Sequence, residues 1–226
     1  MDLTLSADQE RLQARARTIS AGIMPHEESC EEGNGLPADT HAQIAELVRE
    51  QALNAINMPT EWGGQGLGVL DQVLVQEVLG QLTNALWDTV WRPANALRAC
   101  TPAQREEYLL PAIRGERRDC FAVTEEGAGS DPSLITTTAE RVDGGFRIDG
   151  EKWFVTVGDV ADFLIVLALV LPERAPTLFL IDKDRSGVRV LRTPRYMHTF
   201  VYEHPEFGFE DVRVPGSAVL GEIGAG

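Results

Sequence analysis

Apolar residues recur at three- and four-residue spacing through the first half of the chain and in short alternating runs through the second. Ser6-x-x-Gln9 forms a capping box, in which the Ser side chain accepts from the N3 amide and the Gln reaches back. It predicts a helix with Leu12, Ala16, Ile19 and Ile23 on one face. A second helix is expected from about Pro37, with Ile44, Leu47 and Val48 as its apolar stripe. Trp62-Gly63-Gly64-Gln65-Gly66 breaks the pattern, because glycine takes backbone angles that other residues resist. A third helix follows, with Leu70, Val73, Leu74, Val78 and Leu82 facing inward, and another is expected from Leu86 to Ala99. Thr101-Pro102-Ala103-Gln104 starts a last one, with Tyr108, Leu109 and Ile113 turned to the core.

Near Cys120 the period changes. Asp143-Gly144 separates two alternating runs, Thr136 to Val142 and Phe146 to Ile148, which is a hairpin signal. Further strands are expected over Lys152 to Val157, Phe163 to Leu171, Leu178 to Ile181, Val188 to Arg192 and Phe207 to Val214. The fold class is therefore α+β. An N-terminal all-α helical domain (1–120) precedes an antiparallel β-barrel-like domain (121–226). Strands and helices do not alternate, so a Rossmann domain is not supported.

Charge and cysteine content narrow the partners. The formal net charge of −15 excludes nucleic acid and anionic membranes, which need a basic face. The chain has three cysteines and no C-x-x-C pair, which argues against a disulfide framework or a zinc site. The run Phe163 to Leu171 falls far short of the ~20 apolar residues a membrane helix needs. The N-terminus lacks a basic and an apolar signal region, so a cytoplasmic protein is expected.

Candidate chemistry lies in Phe121-Ala122-Val123-Thr124-Glu125-Glu126-Gly127-Ala128-Gly129-Ser130-Asp131. Small residues and glycines let backbone amides approach an anion or a flat ring. The segment resembles the signature T-E-P-G-A-G-S-D of the acyl-CoA dehydrogenase family. Glu151-Lys152-Trp153-Phe154-Val155-Thr156 resembles that family's K-x-[WF]-[IV]-T strand. Pro59-x-x-Trp62-Gly63-Gly64, Tyr108-Leu109-Leu110-Pro111 with Gly115-Glu116, Asp211-Val212-Arg213-Val214-Pro215 and Leu220-Gly221-Glu222-x-Gly224-x-Gly226 resemble further family segments in the same order.

The resemblance implies FAD as cofactor, acyl-CoA as substrate and an electron-transfer flavoprotein as electron acceptor, in a homo-oligomer. It implies that Phe121, Val123 and Thr124 meet the pyrimidine edge of the flavin. Phe154 would cover the ring, Thr156 would bond near N5 and O4, and Gly129 and Val155 would complete the cofactor set. Ser130 would serve the pyrophosphate and the acyl-CoA. The family's catalytic carboxylate base lies in a C-terminal helical domain, expected beyond Gly226, so no catalytic residue is assigned in this chain. Glu125, Glu126 and Asp131 are expected to organise the loop. Alternatives on this scaffold are a flavin-dependent monooxygenase and a non-catalytic binding or assembly module. Glu126 stands where the family has Pro, and Val157 where it often has Asn. The stretch Tyr196 to Pro205 matches no family pattern and reads either as a wall of the substrate side or as a surface loop.

Overall fold

The computed structural model describes residues 4–33, 35–197 and 199–226. Helical segments occupy the chain up to Arg114 and strands begin at Asp119. The residues group into two compact units. One runs to Pro93 and takes in Ile113–Gly115 and Tyr196–Val201; the other contains Ala94–Ala112, Glu116–Arg195 and Tyr202–Gly226.

In the first unit, helix α1 (Ala7–Ile23) starts at the predicted capping box, with both reciprocal bonds made. Leu12, Ala16, Ile19 and Ile23 are buried, as their spacing requires. Helix α2 (Glu27–Gly33) buries Cys30; its mostly acidic sequence has no apolar periodicity to announce it. Helix α3 (Ala38–Glu50) buries Ile44 and Val48. Helix α4 (Val69–Leu79) differs from expectation. Its buried residues are Leu74, Val75, Val78 and Leu79, whereas Leu70 and Val73 are exposed. Its apolar residues cover more than one face, so spacing alone did not reveal which side is inward. The helix expected over Leu86 to Ala99 is replaced by short 3-10 turns at Leu86–Thr89 and Asn95–Ala99. Pro93 lies between them and cannot donate to a helical ladder.

In the second unit, Thr101 caps a helical run as predicted. Helix α5 (Pro102–Gln104) leads through a wide π turn, Arg105–Leu109, into helix α6 (Leu110–Arg114), whose last two residues count with the first unit. The strands are β1 (Asp119–Ala122), β2 (Thr138–Val142), β3 (Gly145–Lys152), β4 (Phe163–Val170), β5 (Ala175–Asp182), β6 (Val188–Arg192), β7 (Glu206–Pro215) and β8 (Val219–Leu220). They form one eight-stranded sheet in the order β6-β7-β3-β2-β4-β5-β8, with β1 also on β4. The predicted hairpin is present, with Val142 opposite Gly145 across Asp143-Gly144.

Two departures from an antiparallel barrel follow from β4. Every residue of β4 is buried, which explains its unbroken apolar run. Both β1 and β2 run parallel to β4 along one of its edges, while β5 is antiparallel on the other. The sheet is also open among the described residues, because β6 and β8 stand at its two ends. The strand expected over Lys152 to Val157 ends at Lys152. Phe154 (φ 51°) and Val157 (φ 59°) take left-handed backbone angles that no ladder accommodates. No described helix is long and apolar enough to cross a membrane.

Candidate functional site

The parallel pairings of β4 create the site. Strand β1 leaves β4 with Ala122 opposite Val166, and β2 rejoins it with Thr138 opposite Leu169. The intervening residues 123–137 therefore form a loop whose ends lie close together on one strand, the geometry of an Ω-loop. The loop carries its own apolar filling, with Ala128 and Ile135 packed on Leu167 and Leu169, and Val123 and Leu178 against them.

A buried ion pair fixes this loop to the end of β3. Lys152 Nζ lies 2.7 Å from Glu125 Oε1, and the side chains are 0% and 6% exposed. Lys152 also donates to the Val123 carbonyl at 3.0 Å. Glu125 Oε2 accepts from the Thr136 amide at 2.6 Å and its hydroxyl at 2.7 Å. Glu125 Oε1 accepts from the Thr137 amide at 3.0 Å and its hydroxyl at 2.6 Å. One carboxylate thus joins both ends of the loop to β3. Burial alone would raise the Glu125 pKa, but the bonds from Lys152, Thr137 and Thr136 outweigh it and hold the pKa at about 2. Burial pulls the Lys152 pKa down against the attraction of Glu125. Both values are lowered, which favours the charged carboxylate but the neutral amine. The charged form stands because the threonine donors back the carboxylate, and an unpaired charge here would be far costlier.

The backbone completes the junction. The Trp153 amide donates to the Thr124 carbonyl at 2.8 Å. Gly150 (φ 149°) sits against Thr137, whose hydroxyl oxygen would lie 2.5 Å from an added Cβ. Glu125 and Ala128 exchange amide–carbonyl bonds of 3.2 and 3.1 Å, with Glu126 and Gly127 at the corner. Glu126 is exposed there, so the family's Pro is replaced without a buried charge.

The sequence-predicted residues divide clearly. Thr124 and Trp153-Phe154 are brought together through the Thr124–Trp153 bond. Phe154 is 50% exposed and Phe121 is 47% exposed, although Cys120 and Ala122 on either side of Phe121 are buried. Gly129, Ser130 and Thr156 are exposed, Val123 is half-buried and Val155 is buried. Val155 donates its amide to the Pro205 carbonyl at 3.0 Å. A Cβ added at Gly127 or Gly129 meets nothing within 4 Å, and neither glycine has a left-handed φ. Among the described residues, no packing contact requires those two glycines. Open small-residue backbone and exposed aromatic rings are features that suit a flat ring system.

The residues match the "Acyl-CoA dehydrogenase, N-terminal domain" family over 6–116 and the "Acyl-CoA dehydrogenase, middle domain" family over 120–212. The chain belongs to the acyl-CoA dehydrogenase family. Among its relatives is (R)-benzylsuccinyl-CoA dehydrogenase of Thauera aromatica, 33% identical over 99% of this chain and 60% of that protein. The chain thus spans about 60% of the length of the curated relatives it matches. Butyryl-CoA dehydrogenase of Megasphaera elsdenii superposes with a TM-score of 0.87 at 26% identity, covering 100% of this chain and 61% of that one. The FAD complex of PigA gives a TM-score of 0.86 at 25% identity, with coverage of 100% and 61%.

Within this acyl-CoA dehydrogenase family member, sequence reasoning missed two residues. Lys152 received no role of its own, although it is one of only two lysines in the chain, a usable signal. His204, half-buried beside Thr156, gave none, because it lies in the stretch that departs from the family pattern. Of that stretch, His198 lies outside the described residues.

Proposed function

We propose that this chain forms the flavin-holding part of an FAD-dependent acyl-CoA dehydrogenase, which desaturates an acyl-CoA thioester between its α and β carbons. The observation that carries the reading is the Glu125–Lys152 anchor. It fixes the signature loop against the Trp153–Thr156 segment, so that open backbone, an exposed ring and threonine hydroxyls are presented from one pinned junction.

FAD, when bound, supplies the electron acceptor. This chain's residues hold and orient it. Thr124, with the main chain of Phe121 and Val123, takes the pyrimidine edge. Phe154 covers the ring, and Val155, tied to Pro205, keeps Thr156 in position. Gly129 and Ser130 leave room for the phosphates and the acyl-CoA. Donors fixed before the reaction stabilise developing charge without reorganising.

The α proton needs a carboxylate base. Glu125 is unsuited, being buried, multiply hydrogen-bonded and held at about pKa 2. Asp131 instead caps the turn that follows it, accepting from the Ser133 amide at 3.0 Å. We therefore assign the base to a C-terminal helical domain of the family type, and electron-transfer flavoprotein as the onward acceptor from a homo-oligomeric enzyme. The test is anaerobic bleaching of the flavin band by a panel of acyl-CoAs, with the chain fused to a C-terminal helical domain of an acyl-CoA dehydrogenase. Bleaching by the fusion and not by the chain alone supports this reading. Flavin uptake without bleaching by any acyl-CoA in the fusion overturns it.

A further inference from the structure

Thr156 Oγ1 and His204 Nδ1 are 3.1 Å apart. The contact is held from both sides. The Val155 amide donates to the Pro205 carbonyl at 3.0 Å, and the Gly158 amide donates to the Val155 carbonyl at 3.0 Å. A Cβ at Gly158 would fall 2.7 Å from the Phe207 ring and 2.8 Å from Pro205, so the turn after Thr156 lies tightly on the start of β7. Lys183 Nζ donates to the Gly158 and Asp159 carbonyls at 3.2 and 2.6 Å, closing the far end of the same turn. These bonds fix the backbone on either side of the contact, which itself is exposed.

A hydroxyl rotates to suit its partners, and it carries one proton. When the imidazole donates from Nδ1, the Thr156 oxygen accepts and its own proton is left to donate elsewhere. When Nδ1 accepts, that proton is used up by the histidine. A bound flavin offers carbonyl and ring-nitrogen acceptors along the edge that Thr156 is assigned to meet. We propose that His204 is a positioning residue that donates from Nδ1 to Thr156, so that the threonine hydroxyl is presented as a donor to the flavin. This rests on the flavin reading above, and extends it to a residue in a stretch that departs from the family pattern. His204 does not touch the reacting atoms; it acts through Thr156.

The test has an arm without flavin and one with it. In the flavin-free chain, Thr156→Val is expected to move the ring nitrogen resonances of His204 by NMR; unmoved resonances overturn the contact. FAD affinity is then measured by quenching of flavin fluorescence in the chain fused to a C-terminal helical domain of an acyl-CoA dehydrogenase. Loss of one oriented hydrogen bond is expected to weaken binding roughly 3–10-fold in His204→Leu, and by a similar factor in Thr156→Val. The double variant is expected to be no weaker than either single one, since both remove the same bond. His204→Asn retains a donor near the Nδ1 position and is expected to stay within about twofold of the native affinity. Additive losses, or native affinity in a folded His204→Leu chain, overturn the proposal while leaving the flavin reading intact. Absence of any FAD uptake by the native fusion overturns both.

Discussion

The Lys152 ammonium and the Glu125 carboxylate meet at 2.7 Å in the interior, and through them the signature loop and the end of β3 become one rigid piece. Removing one member of such a pair leaves a buried charge without compensation. Lys152→Met is therefore expected to cost about 3–5 kcal/mol, or about 6–20 °C in Tm at about 2–4 °C per kcal/mol. Adding Glu125→Gln to Lys152→Met is expected to recover part of the loss. The amide oxygen still accepts from one of the two threonines, Thr136 or Thr137, and no charge is left behind. Thermal unfolding of the two variants decides the point; a double variant worse than Lys152→Met contradicts it.

Acid sensitivity follows from the same group. The folded-state pKa of Glu125, about 2, is depressed from the ordinary 4.5. The stability it contributes is fully present above the ordinary value and is lost as pH falls from about 4.5 towards about 2. Glu125→Gln is expected to lower stability at neutral pH and to flatten this part of the acid limb. Unfolding free energies from urea titrations between pH 2 and pH 7 check it. Parallel native and variant curves contradict it.

Three glycines separate fold from ligand. Gly127→Ala and Gly129→Ala add a methyl to open space at an ordinary φ, so Tm is expected to change little. FAD affinity is expected to fall about 5- to 150-fold, because a methyl forced into a close contact costs ~1–3 kcal/mol. Gly150→Ala should do the reverse to the fold. Its Cβ meets Thr137 at 2.5 Å and its φ is 149°, so a loss of about 2 kcal/mol or more is expected. Calorimetry together with flavin titration reads both effects.

Phe154 combines a left-handed φ of 51° with half exposure of its ring, a costly arrangement for a residue that packs little of the fold. Phe154→Gly is expected to leave Tm unchanged or raise it by relieving the backbone, while FAD affinity falls. A large drop in Tm would show that the ring serves the core.

Much of the architecture was legible in the sequence because burial follows period. The α1 face, the Asp143-Gly144 hairpin and the all-buried β4 each have a pattern that one structure satisfies. Where the period is ambiguous, the sequence misled. The apolar residues of α4 wrap past its buried face, and Pro93 divides what read as one helix. The loop motifs showed where ligand chemistry should lie, but not the mechanics beneath it. Glu125 reads as part of a signature, yet its partners Lys152, Thr136 and Thr137 are distant in sequence, and the parallel pairing of β1 and β2 on β4 together with the antiparallel pairing of β3 on β2 brings them together. Likewise the angles of Phe154 and Val157 come from tertiary constraint, which local strand propensity at Lys152 to Val157 did not reveal.

Amide hydrogen–deuterium exchange of the chain with and without saturating FAD decides whether the loop pinned by Glu125 and Lys152 is the flavin-holding face. FAD is expected to slow exchange over Phe121 to Ser130 and over Trp153 to Val157, and Lys152→Met is expected to abolish the difference. Flavin uptake with slowed exchange elsewhere, and none in these two segments, contradicts it.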